Sequence, residues 1–70
     1  MLCVNKLRGK LAEKNISVTK LCDILGISPS TYYRKIQKNS FEIAEADIIV
    51  KVLELSASEA SEIFFNQYVA

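Results

Sequence analysis

The chain has 70 residues, half of them hydrophobic and 24% charged, with a formal net charge of +1. That length accommodates one domain, 1–70, whose core is small enough to gain from a partner chain. The absence of histidine removes His-based zinc sites and imidazole general bases, and the longest apolar run, 48–55, is broken by Lys51 and Glu54 and falls short of a membrane span.

The spacing of apolar residues predicts an all-α chain of five helices. The first covers about 4–14, where Val4, Leu7 and Leu11 recur at helical intervals and Lys6, Lys10, Glu13 and Lys14 face elsewhere. Asn15-Ile16-Ser17 ends it, and the Ser17 hydroxyl is placed to accept from the free amides of the next turn. The second helix, 18–25, carries Val18, Leu21, Cys22 and Leu25 on one face, and Gly26 follows where a left-handed residue closes a helix. Ser28-Pro29 opens the third helix with a capping serine and a proline whose missing amide costs no bond. It continues through Tyr32, Tyr33 and Ile36 to about Lys38, before the polar break Asn39-Ser40.

The fourth helix covers about 43–53. Ile43, Ala46, Ile49, Val50 and Leu53 form one stripe and Ile48, Val52 and Leu55 a second, which suits a central helix or one that also faces a partner. Ile48-Ile49-Val50 has strand propensity, but no second strand exists to pair with it. The fifth helix starts at Ser56 or Ser58 and ends near Tyr68, so the last two helices occupy about 43–68. Ser56 and Glu59 have capping-box spacing, and Ala60, Ile63, Phe64 and Tyr68 make the inward stripe.

Charge is unevenly distributed. Residues 1–40 hold eight basic side chains against Glu13 and Asp23, a net of +6, whereas residues 41–70 hold Lys51 against six acids, a net of −5. The first half is therefore expected to meet an anion and the second is not.

Residues 18–37 combine a short helix, a glycine turn and a capped helix, which is the pattern of a helix-turn-helix spanning about 18–38. Cys22 is small enough for close helix approach, Gly26 makes the turn, Ile27 fills the corner, and Tyr32 and Ile36 hold the third helix to the core. The opposite face displays Pro29, Ser30, Tyr33, Arg34 and Gln37.

On these residues the chain resembles the Cro and phage-repressor type of helix-turn-helix proteins, the XRE family. The resemblance rests on the basic first helix, Asn15-Ile16-Ser17, Leu25-Gly26-Ile27-Ser28, and Ser30-Thr31-Tyr32-Tyr33-Arg34-Lys35-Ile36 as the recognition helix. Phe41-Glu42-Ile43-Ala44-Glu45-Ala46 and Ile63-Phe64-Phe65 look like the family's fourth and fifth helices. Cys22 replaces the usual alanine, Pro29 replaces a polar base-reading residue, and Glu42 replaces a Ser or Thr cap, so the fourth helix is expected to start less firmly.

The resemblance implies a five-helix lambda-repressor-like bundle that binds an operator in double-stranded DNA, with the third helix in the major groove. Arg34 is expected to read a base through its bidentate fork, with Ser28, Pro29, Ser30, Tyr33 and Gln37 as further base-reading candidates and Thr31 at a phosphate, Ser28 and Thr31 being placed to reach either bases or backbone. Ser17, Val18 and Thr19 offer amides and a helix dipole to a phosphate. Lys10, Lys14, Lys20, Lys35, Lys38 and Asn39 are expected to position the backbone without reading sequence. Phe65 and Val69, off the inward stripe, are candidates for a homodimer contact, as two half-sites about one helical turn apart would require.

Plainer readings stand beside these. A basic face such as Lys6, Arg8, Lys10 and Lys14 is, taken alone, a solvated face; Tyr32 reads as core, and Phe65 and Val69 as ordinary exposed apolar residues. A protein-interaction adaptor is the competing function, and an acyl carrier lacks its acidic composition and Asp-Ser-Leu site here. No nucleophile sits beside a base, so neither an enzyme nor a small-molecule substrate is expected, and no cofactor. Two cysteines outside a CxxC pair and no leader-like apolar run suggest a cytoplasmic setting. A chain opening at Met1 and ending soon after the fifth helix is expected to act by occupancy, with no sensor or cleavage domain attached.

Overall fold

A computed structural model of the chain describes residues 3–65. Five helices follow in order: α1 (Val4–Glu13), α2 (Val18–Leu25), α3 (Pro29–Lys38), α4 (Ile43–Val52) and α5 (Ala57–Ala60), the last running into a π-helical stretch at Ser61–Phe65. No strand occurs among the described residues, and no helix there is long and apolar enough to cross a membrane.

Helices α2 to α5 start where a side chain can satisfy free amides, whereas α1 opens at Cys3 without a side-chain cap. The Lys20 amide donates to Ser17 Oγ at 3.1 Å and opens α2, and the Thr31 amide donates to Ser28 Oγ at 3.2 Å and opens α3 over Pro29. At α5 the capping box is complete: Glu59 N–H donates to Ser56 Oγ and Ser56 N–H to the Glu59 carboxylate. The fourth helix departs from the expectation of a weak start. Glu45 reaches back and accepts the Glu42 amide at 2.9 Å, and the two glutamates form a capping box that fixes the first turn.

The helix ends share one device. Asn15, Gly26, Asn39 and Glu54 adopt positive φ, at 58°, 75°, 51° and 53°. In each case the following amide bonds back past the turn: Ile16 to Leu11, Ile27 to Cys22, Ser40 to Lys35 and Leu55 to Val50, at 2.9–3.1 Å. This Schellman geometry satisfies orphan carbonyls and redirects the chain sharply. It also drives Ile16, Ile27 and Leu55 toward the core. Gly26 was recognisable in advance; Glu54, which pays the steric cost of a left-handed L residue, was not.

The core joins Leu7 and Leu11 of α1, Leu21 and Cys22 of α2, Tyr32 of α3, Ala46 and Ile49 of α4, and Leu53, Leu55, Ile63 and Phe64. Each fully buried leucine or isoleucine contributes roughly 1.5–3 kcal/mol relative to exposure. Burial also pushes the Cys22 thiol up, as expected of a packing residue without an activating partner. Phe41, in the break between α3 and α4, links edge-on to Tyr32 at 5.8 Å and to Phe64 at 6.4 Å, tying the helix-turn-helix to the end of the described chain.

Two expectations need correcting. Ile43 is 86% exposed rather than part of the inward stripe, because it is the first residue of α4 and its side chain points past the end of the packed face. The fifth helix is not a regular α-helix: after one turn it widens, consecutive Ile63 and Phe64 both enter the core, and the Ile63 carbonyl accepts the Cys3 amide at 2.9 Å. The Phe65 side chain, Val69 and the expected helix end near Tyr68 lie outside the described residues.

Candidate nucleic-acid interface

The turn between α2 and α3 sets the site. Leu21, Cys22 and Tyr32 anchor the two helices to the core, and Ile27 packs against it from the corner. What remains outward on α3 is Pro29, Ser30, Tyr33, Arg34, Gln37 and Lys38, all exposed. The division is sharpest between neighbours: Tyr32 is 1% exposed and Tyr33 55%. Ser30, Tyr33, Arg34 and Gln37 are three or four apart and therefore share one face of the helix.

Beside this face lies the start of α2. Ser17, Thr19 and Lys20 are exposed and Val18 is half-buried. Since Ser17 Oγ takes the Lys20 amide, the amides of Val18 and Thr19 stay at the open, electropositive end of the helix. Ser28 and Thr31 are less free than their neighbours. Ser28 Oγ lies 3.0 Å from Thr31 Oγ1 and 3.2 Å from Ser30 Oγ while capping α3, so both hydroxyls hold the helix start. Asn39 serves chiefly as the left-handed cap of α3.

The basic residues fall into two groups. Lys6 pairs with Glu62, Lys10 with Glu59 and also with Glu13 at 3.5 Å, and Lys14 with Glu54 at 3.0 Å. The three lysines are four residues apart, and their acids run in the reverse order, so the pairs form an antiparallel ladder between α1 with its cap Lys14 and the stretch that runs from the turn after α4 through α5 into the π-helical turn. Gly9 leaves the groove along this seam open. Lys35 of α3 pairs with Glu45 of α4 at 2.7 Å, with 17% and 13% of the two side chains exposed. In contrast Arg8, Lys20, Arg34 and Lys38 form no ion pair with any described residue. Lys10, Lys14 and Lys35, expected from the sequence at phosphates, are thus held by carboxylates of the same chain. Lys20, Arg34 and Lys38 are not.

The pairing shows in titration. The Lys10 ammonium, with the Ser56 amide, holds the Glu59 carboxyl down at about 2, and the Glu59 bond raises Lys10 above its ordinary value. At Glu45, burial pushes the carboxyl up, but the bonds from Lys35 and the Glu42 amide outweigh it and the net direction is down. The spacing of Lys6, Lys10 and Lys14 along one helix face was the available signal for the ladder. It needed the fold to bring Glu54, Glu59 and Glu62 opposite.

Residues 6–39 match the family described as the helix-turn-helix domain of resolvase. No curated protein and no solved structure matches the chain. The match begins within α1 and ends at the cap of α3, so it covers most of α1 and all of α2 and α3, and it supports a helix-turn-helix DNA-binding domain in this chain.

Proposed function

We propose that the protein is a sequence-specific regulator that occupies an operator in double-stranded DNA, in the manner of a Cro-like repressor of phage type. The observation that carries this reading is the outer face of α3, where Arg34, Tyr33, Ser30 and Gln37 project together from a helix locked to the core by Tyr32. An α-helix fits the major groove, and an arginine fork there pairs with guanine O6 and N7. Lys20 and Lys38, exposed at the two sides of this face, act on phosphates, together with the open amides of α2. Lys10, Lys14 and Lys35 serve the fold first. The bound form is a homodimer on two half-sites, each copy placing α3 in successive major grooves.

The resolvase description of the matching family favours a second reading, in which the domain directs DNA to a recombination step rather than to transcriptional control. Selection of bound sequences from a random double-stranded pool tests the first claim. A defined site with two related half-sites about 10 base pairs apart is the expected result; recovery of unselected sequence contradicts it. Repression of a reporter downstream of the selected site then separates the two readings.

A further inference from the structure

Close to the reading face, a cleft of about 470 Å³ opens between α1, the start of α2 and the flank of α3. Val4, Val18 and Ile36 give it apolar walls, Arg8 stands at it as the one charged residue, and Tyr32 and Tyr33 complete the lining. Two polar groups here are uncommitted. Arg8 forms no ion pair with a described residue, whereas Lys6 and Lys10 of the same helix both do. The Tyr32 side chain is almost wholly buried, yet its hydroxyl makes no hydrogen bond to any described residue. Among the described residues no polar side-chain atom is sealed away without a partner, so this hydroxyl reaches solvent, and Tyr32 lines this cleft. Buried tyrosines ordinarily spend the hydroxyl on a partner. Burial pushes this phenol up to about 12, so it remains a neutral donor at any ordinary pH.

We propose that this cleft binds a small amphipathic carboxylate, its two oxygens taken by the Arg8 guanidinium and the Tyr32 hydroxyl and its apolar body resting on Val4, Val18 and Ile36. The guanidinium fork matches a carboxylate in two-point geometry, and a charge-assisted bond beside apolar walls is stronger than one in open water. The volume lies in the range of roughly 300–1,000 Å³ typical of small-molecule sites. Hydrated inorganic anions gain nothing from the three aliphatic walls, and neutral aromatics forgo the charge-assisted bonds to Arg8, so the ligand needs both halves. It is bound as a ligand, not turned over, because the described residues that line the cleft include no activated nucleophile and no general base. Binding does not depend on the DNA reading, and the test contains no DNA.

The experiment is a methyl-detected NMR titration of the whole chain with phenylacetate, run beside acetate, phenylacetamide and inorganic phosphate. Phenylacetate should give saturable shifts at the methyl groups of Val4, Val18 and Ile36, with the other three binding at least about tenfold more weakly. Arg8→Ala should weaken phenylacetate about tenfold or more. Tyr32→Phe, which keeps the ring in the core, should weaken it about fivefold with the unfolding midpoint retained. Absence of saturable shifts overturns the proposal. So does phosphate or acetate binding as tightly as phenylacetate, which would make the cleft a simple anion site. Undiminished binding by phenylacetamide or by Arg8→Ala would make it a bare apolar patch and overturn it equally. Should Tyr32→Phe unfold, the exposed Arg8→Ala variant decides alone.

Discussion

The α1–α5 seam and the outer face of α3 use the same residue types in opposite ways. Along the seam, Lys6, Lys10 and Lys14 meet Glu62, Glu59 and Glu54 and cancel them. On α3, Arg34 and Lys38 stand exposed and pair with no described acid. Counted by halves of the sequence, the chain is +6 and −5; counted in space, much of that difference is consumed inside the molecule. A basic stretch therefore marks a docking surface only where the fold leaves it without carboxylates to answer it. A net charge near zero here reflects internal pairing and a small unspent remainder beside the helix-turn-helix.

The comparison predicts that neighbouring residues of α3 separate cleanly into stability and binding. Tyr32→Ala should cost about 3–5 kcal/mol of folding stability, because it empties the junction of α3 with Phe41 and Cys22. Tyr33→Ala should stay within about 0.5 kcal/mol. Chemical denaturation of both variants checks this, and similar losses would mean the two faces of α3 are misassigned. Next in size, Arg34→Ala should weaken binding to the selected site by about 1–3 kcal/mol and relax preference at one base position, with stability unchanged. Competition binding against single-base variants of the site reads both effects.

Lys35 and Lys38 sharpen the contrast within one helix. Lys35→Ala leaves the part-buried Glu45 carboxylate with the Glu42 amide but no cation and should cost about 1–2 kcal/mol of stability. Lys38→Ala should leave the denaturation midpoint in place. The smallest effect is on the seam. The Glu59 pKa is lowered from 4.5 to about 2, so its contribution to stability is complete above pH 4.5 and is lost as pH falls toward 2. Lys10 is raised above 10.5, so the same pair fails again as pH rises past that value. Lys10→Met should flatten the acid limb of a thermal-stability profile between pH 4.5 and 2; an unaltered limb would assign it to other carboxylates.

Most of the fold was legible because its boundaries are written in local chemistry. Ser17, Gly26, Ser28-Pro29 and Ser56 with Glu59 each fix a helix end through atoms within a few residues, and α2 and α3 span the residues that periodicity indicates. The outward set on α3 followed once Tyr32 and Ile36 were read as inward. What escaped depends on contacts far apart in sequence. The partners of Lys10 and Lys14 lie 49 and 40 residues away. Ile43 looked buried because its spacing fits the stripe, but helix ends project beyond the packed face. The left-handed turn at Glu54 and the π-helical widening after Ala60 answer to tertiary packing, and no local residue announces them.

The central claim is that Lys20, Arg34 and Lys38, which the fold leaves unpaired, face the DNA, rather than the basic half as a whole. The salt dependence of binding to the selected site tests it most directly, comparing Lys38→Ala and Lys10→Ala with the parent chain. The slope of log affinity against log salt should become shallower by about 0.9 in Lys38→Ala and stay unchanged in Lys10→Ala. A shallower slope in Lys10→Ala together with the parent slope in Lys38→Ala would contradict the account.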